Sequence, residues 1–412
     1  MKLFKDILIN NASQGLQFGS RWLLNLFMIS ALSIENFAVY SFVYSFSNII
    51  VSVLPFGSST FLISKDYSKD SNRTQINSSL VITLALFLVI LLIYGLLSIF
   101  IDDVKGWELI IYGLLLGLTL SLNLILFSFF KGLGNFVVEL FVYIFFSLGL
   151  LLYIGFYYFG SGTIEDVPSI FSFLITLNFL VFLATLMLKN KTLDLFNFKR
   201  YDFRFSAIKN SFIERKYFGY QEIVTAIYTQ IGLLILFYIL ENKIYGQYRA
   251  LFVVVMPFFM ITVTISQVVL NQLKTLQFKF ENMLSFFRKI QLFTVILGVL
   301  ISVFLILVKD LIFQYIKIDV NSVINISYYI IVGVVFMRFV FSNYEMLLVT
   351  LDKQKERFWV MSFSAIVSLL LIFLILPQTG LIGAISINAL AYFIVLIGTL
   401  YLSEHTIKTF KL

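Results

Sequence analysis

The sequence predicts an all-α polytopic membrane protein with about twelve transmembrane helices, and three observations support this fold class. The chain has 412 residues, of which 60% are hydrophobic and only 13% are charged, a composition far from that of soluble globular proteins. Apolar runs long enough to cross about 30 Å of hydrocarbon recur along its whole length. Basic residues are concentrated in alternate connections between these runs, as they are in polytopic membrane proteins.

Twelve apolar runs follow one another, and each is expected to be a helix because lipid offers no partner to an unsatisfied backbone group. The runs cover residues 10–32, 37–61, 76–101, 107–130, 136–158, 168–188, 219–240, 246–270, 290–308, 324–350, 357–376 and 380–402. Pro55 and Pro257 interrupt two of them, and each proline is either a hinge or a static kink.

The distribution of basic residues predicts the orientation of the chain. Connections on one side carry 23 of the 30 Lys and Arg residues and those on the other side carry five, while Arg21 and Arg338 lie inside spans. The positive-inside rule therefore places both termini in the cytoplasm. The net charge of +8 follows this topology, so we predict no nucleic-acid partner.

A basic connection between the sixth and seventh spans divides the chain into two halves. It predicts an N-terminal six-helix lobe at 1–188, a cytoplasmic linker at 189–217 and a C-terminal six-helix lobe at 218–412. The linker mixes basic with aromatic residues. It is either a membrane-surface segment that contacts anionic headgroups or a solvated loop, and we favour the loop.

The inventory of reactive residues favours a transporter over an enzyme, without cofactor or metal. The chain has no cysteine, which excludes disulfides and thiolate metal sites, and its single histidine is His405, near the C-terminal end. No G-x-x-x-x-G-K-[ST] phosphate loop occurs, which argues against ATP-driven export by this chain. No outside connection is long enough for the acidic or histidine-bearing loop that we expect of a membrane glycosyltransferase or polymerase.

The first span carries a stripe of polar residues. At 100° per residue, its members fall within a sector of about 80°. They are Asn10, Gln14, Gln17, Arg21 and Asn25. A centrally placed arginine costs roughly 3 kcal/mol on insertion scales, and such residues usually face a bundle interior or a watered cavity.

A weak internal repeat relates the two halves. A shift of 208 residues aligns Gln14, Gln17 and Arg21 of the first span with Glu222, Thr225 and Thr229 of the seventh. Because each half has six spans, the halves would be parallel repeats about an axis normal to the membrane.

Five stretches carry a resemblance to a known family. They are "SIENFAVYSFVYSFSNIIVSVLPFGSSTFLISK" (33–65), "KGLGNF" (131–136), "YGQYRAL" (245–251), "TLDKQK" (350–355) and "LPQTGLIGAISINALAY" (376–392). Because of these stretches, the chain resembles the Wzx-type polysaccharide flippases of the multidrug/oligosaccharidyl-lipid/polysaccharide (MOP) superfamily. The resemblance extends over nearly its whole length.

The resemblance implies two six-helix lobes around a central cavity in the bacterial cytoplasmic (inner) membrane. It implies transport of an undecaprenyl-pyrophosphate-linked oligosaccharide from the cytoplasmic to the outer leaflet. Besides this substrate and membrane lipids, a polysaccharide polymerase and a chain-length regulator are the partners that it suggests.

The polar stripe supplies the predicted substrate-binding residues. Arg21, at mid-depth, is expected to meet the pyrophosphate, and Gln14, Gln17 and Asn25 are expected to meet sugar hydroxyls. The alternative is an arginine that pairs with a carboxylate to hold helices together. In the second half, Arg338 is a further candidate cation for the cavity.

Three carboxylates are candidates for ion coupling, because buried carboxylates can exchange protons or sodium. They are Glu222, Glu345 and Glu139. Glu345 shares a helical face with Arg338, but the two lie about 10 Å apart along the axis, so we expect each to have a partner on another helix. For Glu222, the alternative is stabilisation by the N-terminus of its own helix and by Lys216.

An ion-coupled drug or cation antiporter of the same superfamily is the rival function. Such a transporter favours an acidic cavity with aromatic cages, whereas a pyrophosphate requires a cationic one. Arg21 and Arg338 therefore favour the flippase.

Overall fold

The computed structural model describes residues 2–64, 75–100, 106–133, 135, 137–159, 166–193, 204–226, 230, 232–276, 279–316, 318, 320–351 and 353–410. Within these ranges every regular element is helical. This confirms the predicted all-α fold class.

The helices of the described ranges follow one another with short connections. They are α1 (Lys2–Ala31), α2 (Ile34–Val53), α3 (Ser58–Ser64), α4 (Gln75–Ser98), α5 (Ile110–Gly132), α6 (Val137–Phe159), α7 (Val167–Leu193), α8 (Phe205–Ala226), α9 (Gly232–Ile239), α10 (Asn242–Leu276), α11 (Phe280–Leu307), α12 (Lys309–Ile316), α13 (Ser322–Thr350), α14 (Gln354–Leu374) and α15 (Leu376–Phe410). A short 3-10 turn at Trp107–Leu109 leads into α5.

Ten helical segments in the described ranges are long and apolar enough to cross a membrane, and they coincide with ten of the twelve predicted runs. The first and seventh runs are not among them. The first run forms α1, but its polar stripe lowers the hydropathy. The described parts of the seventh run lie in α8, which ends at Ala226, and in α9, which begins at Gly232, and residues 227–229 and 231 lie outside the described ranges.

One compact unit of the chain comprises Met1–Phe27 and Glu35–Tyr238. Within it, α5 packs on α3, α4 and α7, and α7 also packs on α6. An apolar cluster in this unit is formed by side chains from these helices, including Ile76, Ile125, Leu126, Phe129 and Phe130.

Two glycines of α5 allow it to approach α2 closely. A Cβ atom on Gly117 would lie 2.4 Å from Ile50 Cγ2, and one on Gly113 would lie 2.8 Å from Phe46 Cδ1. Small residues four apart are a common way for membrane helices to bring their backbones together. The spacing of Gly113 and Gly117 therefore fixes the position of α5, which carries part of the candidate site.

The other compact unit comprises Met28–Ile34 and Ile239–Leu412. Here α13 packs on α10, α11 and α15, and α15 packs on α14. The apolar cluster of this unit includes Val269, Leu273, Met283, Phe287 and Leu347.

The second span ends earlier than the sequence predicts. α2 stops at Val53, and Pro55 lies in the turn before α3, because proline cannot donate the backbone hydrogen bond that would continue the helix. Phe56 and Gly57 follow with φ values of 44° and 73°. In contrast, Pro257 lies inside α10.

Part of the predicted linker is helical. Residues 205–217 form the first turns of α8, which packs on α3 and α4 in the first unit. A solvated loop is therefore wrong for this part, and the predicted boundary at 217 falls inside a helix. Residues 194–203 lie outside the described ranges, and the division into two lobes stays a prediction.

Candidate functional site

Two residues of the predicted polar stripe, Gln17 and Arg21 of α1, line a cavity inside the first unit. Asn123 of α5, Tyr143 of α6 and Asn178 of α7 complete its polar lining. The cavity has a volume of about 80 Å³, which is room for a few water molecules. An oligosaccharide would need a wider conformation.

The electrostatics of this cavity are dominated by Arg21. None of the ion pairs in the described part of the chain includes this guanidinium. Asn123 Oδ1 is buried and has no hydrogen-bond partner among the described residues. The cavity therefore offers a cationic donor and a neutral acceptor to whatever enters it.

Asn123 joins α5 to α7, and both asparagines were missed by the sequence analysis. Asn123 Nδ2 donates to the backbone oxygen of Asn178 at 2.9 Å, and Asn178 Nδ2 donates to the backbone oxygen of Leu174 at 2.8 Å. Each is a single amide inside a long apolar run, a signal that could have identified both as cavity-lining candidates.

The rest of the stripe is used differently. Asn25 is buried, and its Nδ2 donates to the backbone oxygen of Arg21 at 2.8 Å, so this donor serves the helix itself. The side chains of Asn10 and Gln14 lie outside the described residues. The predicted binding roles of Gln14, Gln17, Arg21 and Asn25 stay predictions.

Arg338 and Glu345 form a direct ion pair, which corrects the sequence analysis. Arg338 Nη1 lies 3.5 Å from Glu345 Oε2. The distance of about 10 Å along the axis separates backbone positions, whereas helical side chains lean toward the N-terminus and bring Glu345 toward Arg338.

Glu345 also has the partner on another helix that the sequence analysis expected. Arg357 of α14 donates to Glu345 Oε1 through Nε and Nη2, each at 3.3 Å. The Arg338 guanidinium lies 5.0 Å from the centre of the Phe341 ring. A single buried carboxylate is thus held between two guanidinium groups, an arrangement that joins α13 to α14.

Glu139 lies in a second ion pair. Its Oε2 is 2.8 Å from Lys131 Nζ and accepts a hydrogen bond from Ser13 Oγ at 3.3 Å. The carboxylate is 5% exposed and the lysine side chain 18% exposed. These contacts join α1 and α6 to the end of α5.

Glu222 contacts the turn before α3. Its Oε2 accepts the Gly57 backbone N–H at 2.9 Å, and its Oε1 accepts the Ser59 hydroxyl at 2.6 Å. A carboxylate at a helix N-terminus satisfies donors that have no partner within the helix. The N-terminus that Glu222 contacts is that of α3. Glu222 itself belongs to α8, so these contacts differ from the expected stabilisation by the N-terminus of its own helix.

Comparisons with known proteins identify the fold. Neither a protein-family model nor a curated protein matches the chain. An inward-facing multidrug resistance MATE family transporter of the MOP superfamily matches with a TM-score of 0.70 and 13% identity, over 97% of this chain and 95% of its own.

Two further solved structures match over similar lengths. The lipid II flippase MurJ, in an inward closed conformation, has a TM-score of 0.67 and 15% identity, over 96% of this chain and 87% of its own. A MOP superfamily transporter from Pyrococcus furiosus, described as having a binding pocket of reverse polarity, has a TM-score of 0.66 and 13% identity, over 98% of this chain and 95% of its own. The chain therefore has the fold shared by the MATE and MurJ transporters of the MOP superfamily.

Proposed function

We propose that this protein is a Wzx-type flippase, which moves an undecaprenyl-pyrophosphate-linked oligosaccharide from the cytoplasmic to the outer leaflet for surface polysaccharide synthesis. The observation that carries the proposal is the cavity cation Arg21, which takes part in none of the ion pairs among the described residues. A cation held in this way is available to an anionic substrate.

The chemistry of the cavity suits the proposed substrate. A pyrophosphate group is multiply charged and needs a fixed cation inside a low-dielectric protein. A sugar offers hydroxyl groups, which an unpaired amide oxygen such as Asn123 Oδ1 can accept. Because the cavity holds only about 80 Å³, transport requires a conformation with a wider site, as alternating access supplies.

The surroundings of the three candidate coupling carboxylates favour structural roles for two of them. Glu345 lies between Arg338 and Arg357, and Glu139 is paired with Lys131. Glu222 accepts hydrogen bonds from a backbone amide and a hydroxyl, and it stays a candidate for ion coupling.

The rival proposal is an ion-coupled drug or cation antiporter, and the likeness to MATE transporters favours it. A drug cation needs a carboxylate that is free to receive it. Two of the buried carboxylates named above already have cationic partners, whereas Arg21, the charged residue that lines the cavity, forms no ion pair with the described carboxylates. The polarity of the cavity thus supports the flippase.

The proposal includes a location and partners. The protein would span the bacterial cytoplasmic membrane with both termini in the cytoplasm. It would receive its substrate from membrane-bound glycosyl transfer and deliver it to a polysaccharide polymerase and a chain-length regulator.

The direct test uses purified protein in vesicles of phosphatidylethanolamine and phosphatidylglycerol. The probe is undecaprenyl pyrophosphate carrying a fluorescent oligosaccharide, and the readout is the rate at which it becomes accessible to an impermeant quencher. We expect faster movement than in protein-free vesicles. No acceleration, together with ion-driven uptake of a cationic dye, would establish the antiporter instead.

A second test uses cells. Deletion of the gene is expected to cause lipid-linked repeat units to accumulate on the cytoplasmic leaflet and to abolish surface polysaccharide. Normal surface polysaccharide in the deletion strain would contradict the proposal.

A further inference from the structure

A groove lies between α14 and α15, within the unit that contains Ile239–Leu412. Its volume is about 500 Å³, which is within the range of small-molecule sites, about 300–1,000 Å³. Its lining consists of aromatic and aliphatic side chains and one glycine. We call it the aromatic groove, and its lining suits a hydrocarbon chain.

The shape of the aromatic groove depends on a close contact between the two helices. A Cβ atom on Gly398 of α15 would lie 2.5 Å from Val360 Cγ1 of α14, so the helices touch at the floor of the groove. Larger side chains beside this contact form its walls. The wall residues are Trp359 and Phe363 of α14 and Phe393 and Ile397 of α15.

The walls of the aromatic groove face lipid. Both helices are long and apolar enough to span a membrane, and α14 is the least buried of the ten candidate spans. The four wall side chains are between 49% and 62% exposed. A hydrocarbon chain in the groove contacts two walls, whereas a chain on a single helix contacts one face. Because dispersion energies add over contacts, the groove binds a chain more tightly than a flat helix surface does.

Trp359 marks the depth of the aromatic groove in the membrane. Tryptophan is enriched at the level of the lipid headgroups, and Trp359 lies in the second turn of α14, which begins at Gln354. The predicted orientation places this end of α14 on the cytoplasmic side. Phe363 lies about 6 Å further along the axis. The groove therefore begins at the headgroup level and continues into the hydrocarbon.

A positive charge lies at the headgroup end of the aromatic groove. Lys355 is exposed and lies one turn before the tryptophan, on the same face of α14. Among the ion pairs of the described residues, Glu356 pairs with Lys353 at 3.0 Å, and Lys355 takes part in none. The exposed charges of α15 beyond the groove are those of Glu404 and Lys408, which have opposite signs. Lys355 is thus the charge that a lipid headgroup meets here.

We propose that the aromatic groove binds an anionic phospholipid of the cytoplasmic leaflet, with the phosphate at Lys355 and one acyl chain between Trp359 and Phe393. The apolar walls hold the chain, and the lysine selects the headgroup. A zwitterionic headgroup carries its own ammonium group, which offsets the attraction of its phosphate to the lysine. This lipid site goes beyond the proposed transport function and does not depend on it.

The experiment uses the fluorescence of Trp359. The chain has three tryptophans, so Trp22→Phe with Trp107→Phe leaves Trp359 as the single reporter. This protein is reconstituted into phosphatidylcholine vesicles with increasing fractions of brominated phosphatidylglycerol or brominated phosphatidylcholine, since bromine quenches a tryptophan that it touches. We expect half-maximal quenching at about fivefold lower mole fraction of the phosphatidylglycerol, the effect of one basic residue beside an anionic headgroup.

Two variants are the controls. Lys355→Gln, in the same background, is expected to make the two brominated lipids quench equally. In the second control all three tryptophans are replaced by Phe, and Phe141→Trp supplies the reporter. Phe141 is 57% exposed on α6 and lies near the predicted cytoplasmic end of its span. We expect no preference between the lipids at this position.

Several outcomes would overturn the proposal. Equal quenching of Trp359 by the two lipids would mean that the groove does not select an anion. An equal preference at position 141 would mean that anionic lipid gathers around the whole protein. A preference that survives Lys355→Gln would remove the lysine from the site. Finally, if unbrominated undecaprenyl phosphate relieves the quenching at a lower mole fraction than unbrominated phosphatidylglycerol does, the groove binds a polyprenyl lipid instead.

Discussion

Lys131 Nζ lies 2.8 Å from Glu139 Oε2, so a largely buried ion pair closes the connection between α5 and α6. Lys131 begins the "KGLGNF" turn (131–136) that carries part of the family resemblance, and Glu139 lies three residues beyond its end. Ser13 of α1 donates to the same carboxylate oxygen. The pair therefore fixes three helices at one end of the first unit.

Removing one partner of this pair is expected to destabilise the protein. Glu139→Gln leaves the lysine charge without its counter-ion, which costs about 3 kcal/mol in the free energy of unfolding for a buried pair. Lys131→Met with Glu139→Leu removes both charges and is expected to recover most of the loss. Unfolding in detergent measures this, with Glu356→Gln as a half-exposed control that should show no change. If Glu139→Gln unfolds like wild type but loses ion-dependent flux, the coupling role is the better account.

Arg21 is expected to be essential for transport. Arg21→Ala and Arg21→Glu should abolish surface polysaccharide while protein abundance stays near normal, because the cavity loses its cation. Arg21→Lys should be partly active, since lysine keeps the charge but lacks the planar fork. Lys209→Ala, on the exposed side of α8, is the control. A fully active Arg21→Ala would remove this residue from the site.

Asn123 tests the polarity of the same cavity. Asn123→Asp introduces a carboxylate that competes with an anionic substrate for Arg21, so flux of the pyrophosphate probe should fall by about tenfold or more. Asn123→Ser stays neutral, keeps an acceptor and should retain part of the flux. Thermal unfolding separates this effect from loss of the contact with Asn178. Equal flux in the Asp and Ser variants would show that the cavity does not select for an anion.

Gly246 is expected to tolerate no side chain. A Cβ atom there would lie 2.2 Å from the backbone oxygen of Ile34, and backbone atoms cannot move aside as a side chain can. Gly246→Ala should lower the free energy of unfolding by about 1–3 kcal/mol or more. Gly333→Ala in α13 is the matched control, because nothing lies within 4 Å of its Cβ position. The free energy of unfolding of Gly333→Ala should be unchanged or higher by up to about 1 kcal/mol. Equal stability of the two variants would be inconsistent with the close contact at Ile34.

The orientation can be tested with reporter fusions. Alkaline phosphatase fused after Lys199 should be inactive, because basic connections resist translocation. A fusion after Gly162, in a predicted outside connection, should be active. Activity at Lys199 would reverse the whole scheme.

The candidate site was only partly predictable from the sequence. Arg21 and Gln17 could be placed on one face of α1 from the 3.6-residue period alone. Asn123 and Asn178 share their cavity but come from helices 55 residues apart in the chain, and nothing local shows that they meet. Pairing was also decided by side-chain reach: Arg338 and Glu345 bond directly although their backbone positions are two turns apart.

The sequence by itself determined the fold class and ten of the spans, because hydropathy and length are local properties that a bilayer selects directly. It also located the polar stripe of α1. Tertiary structure decided which charges are paired. Arg215 belongs to a basic connection that the sequence predicts to be solvated, yet it is fully buried against Ser58 and Ser79. The physical reason is that the free energy of a buried charge depends on the donors and acceptors around it, and these are brought together only when distant helices pack.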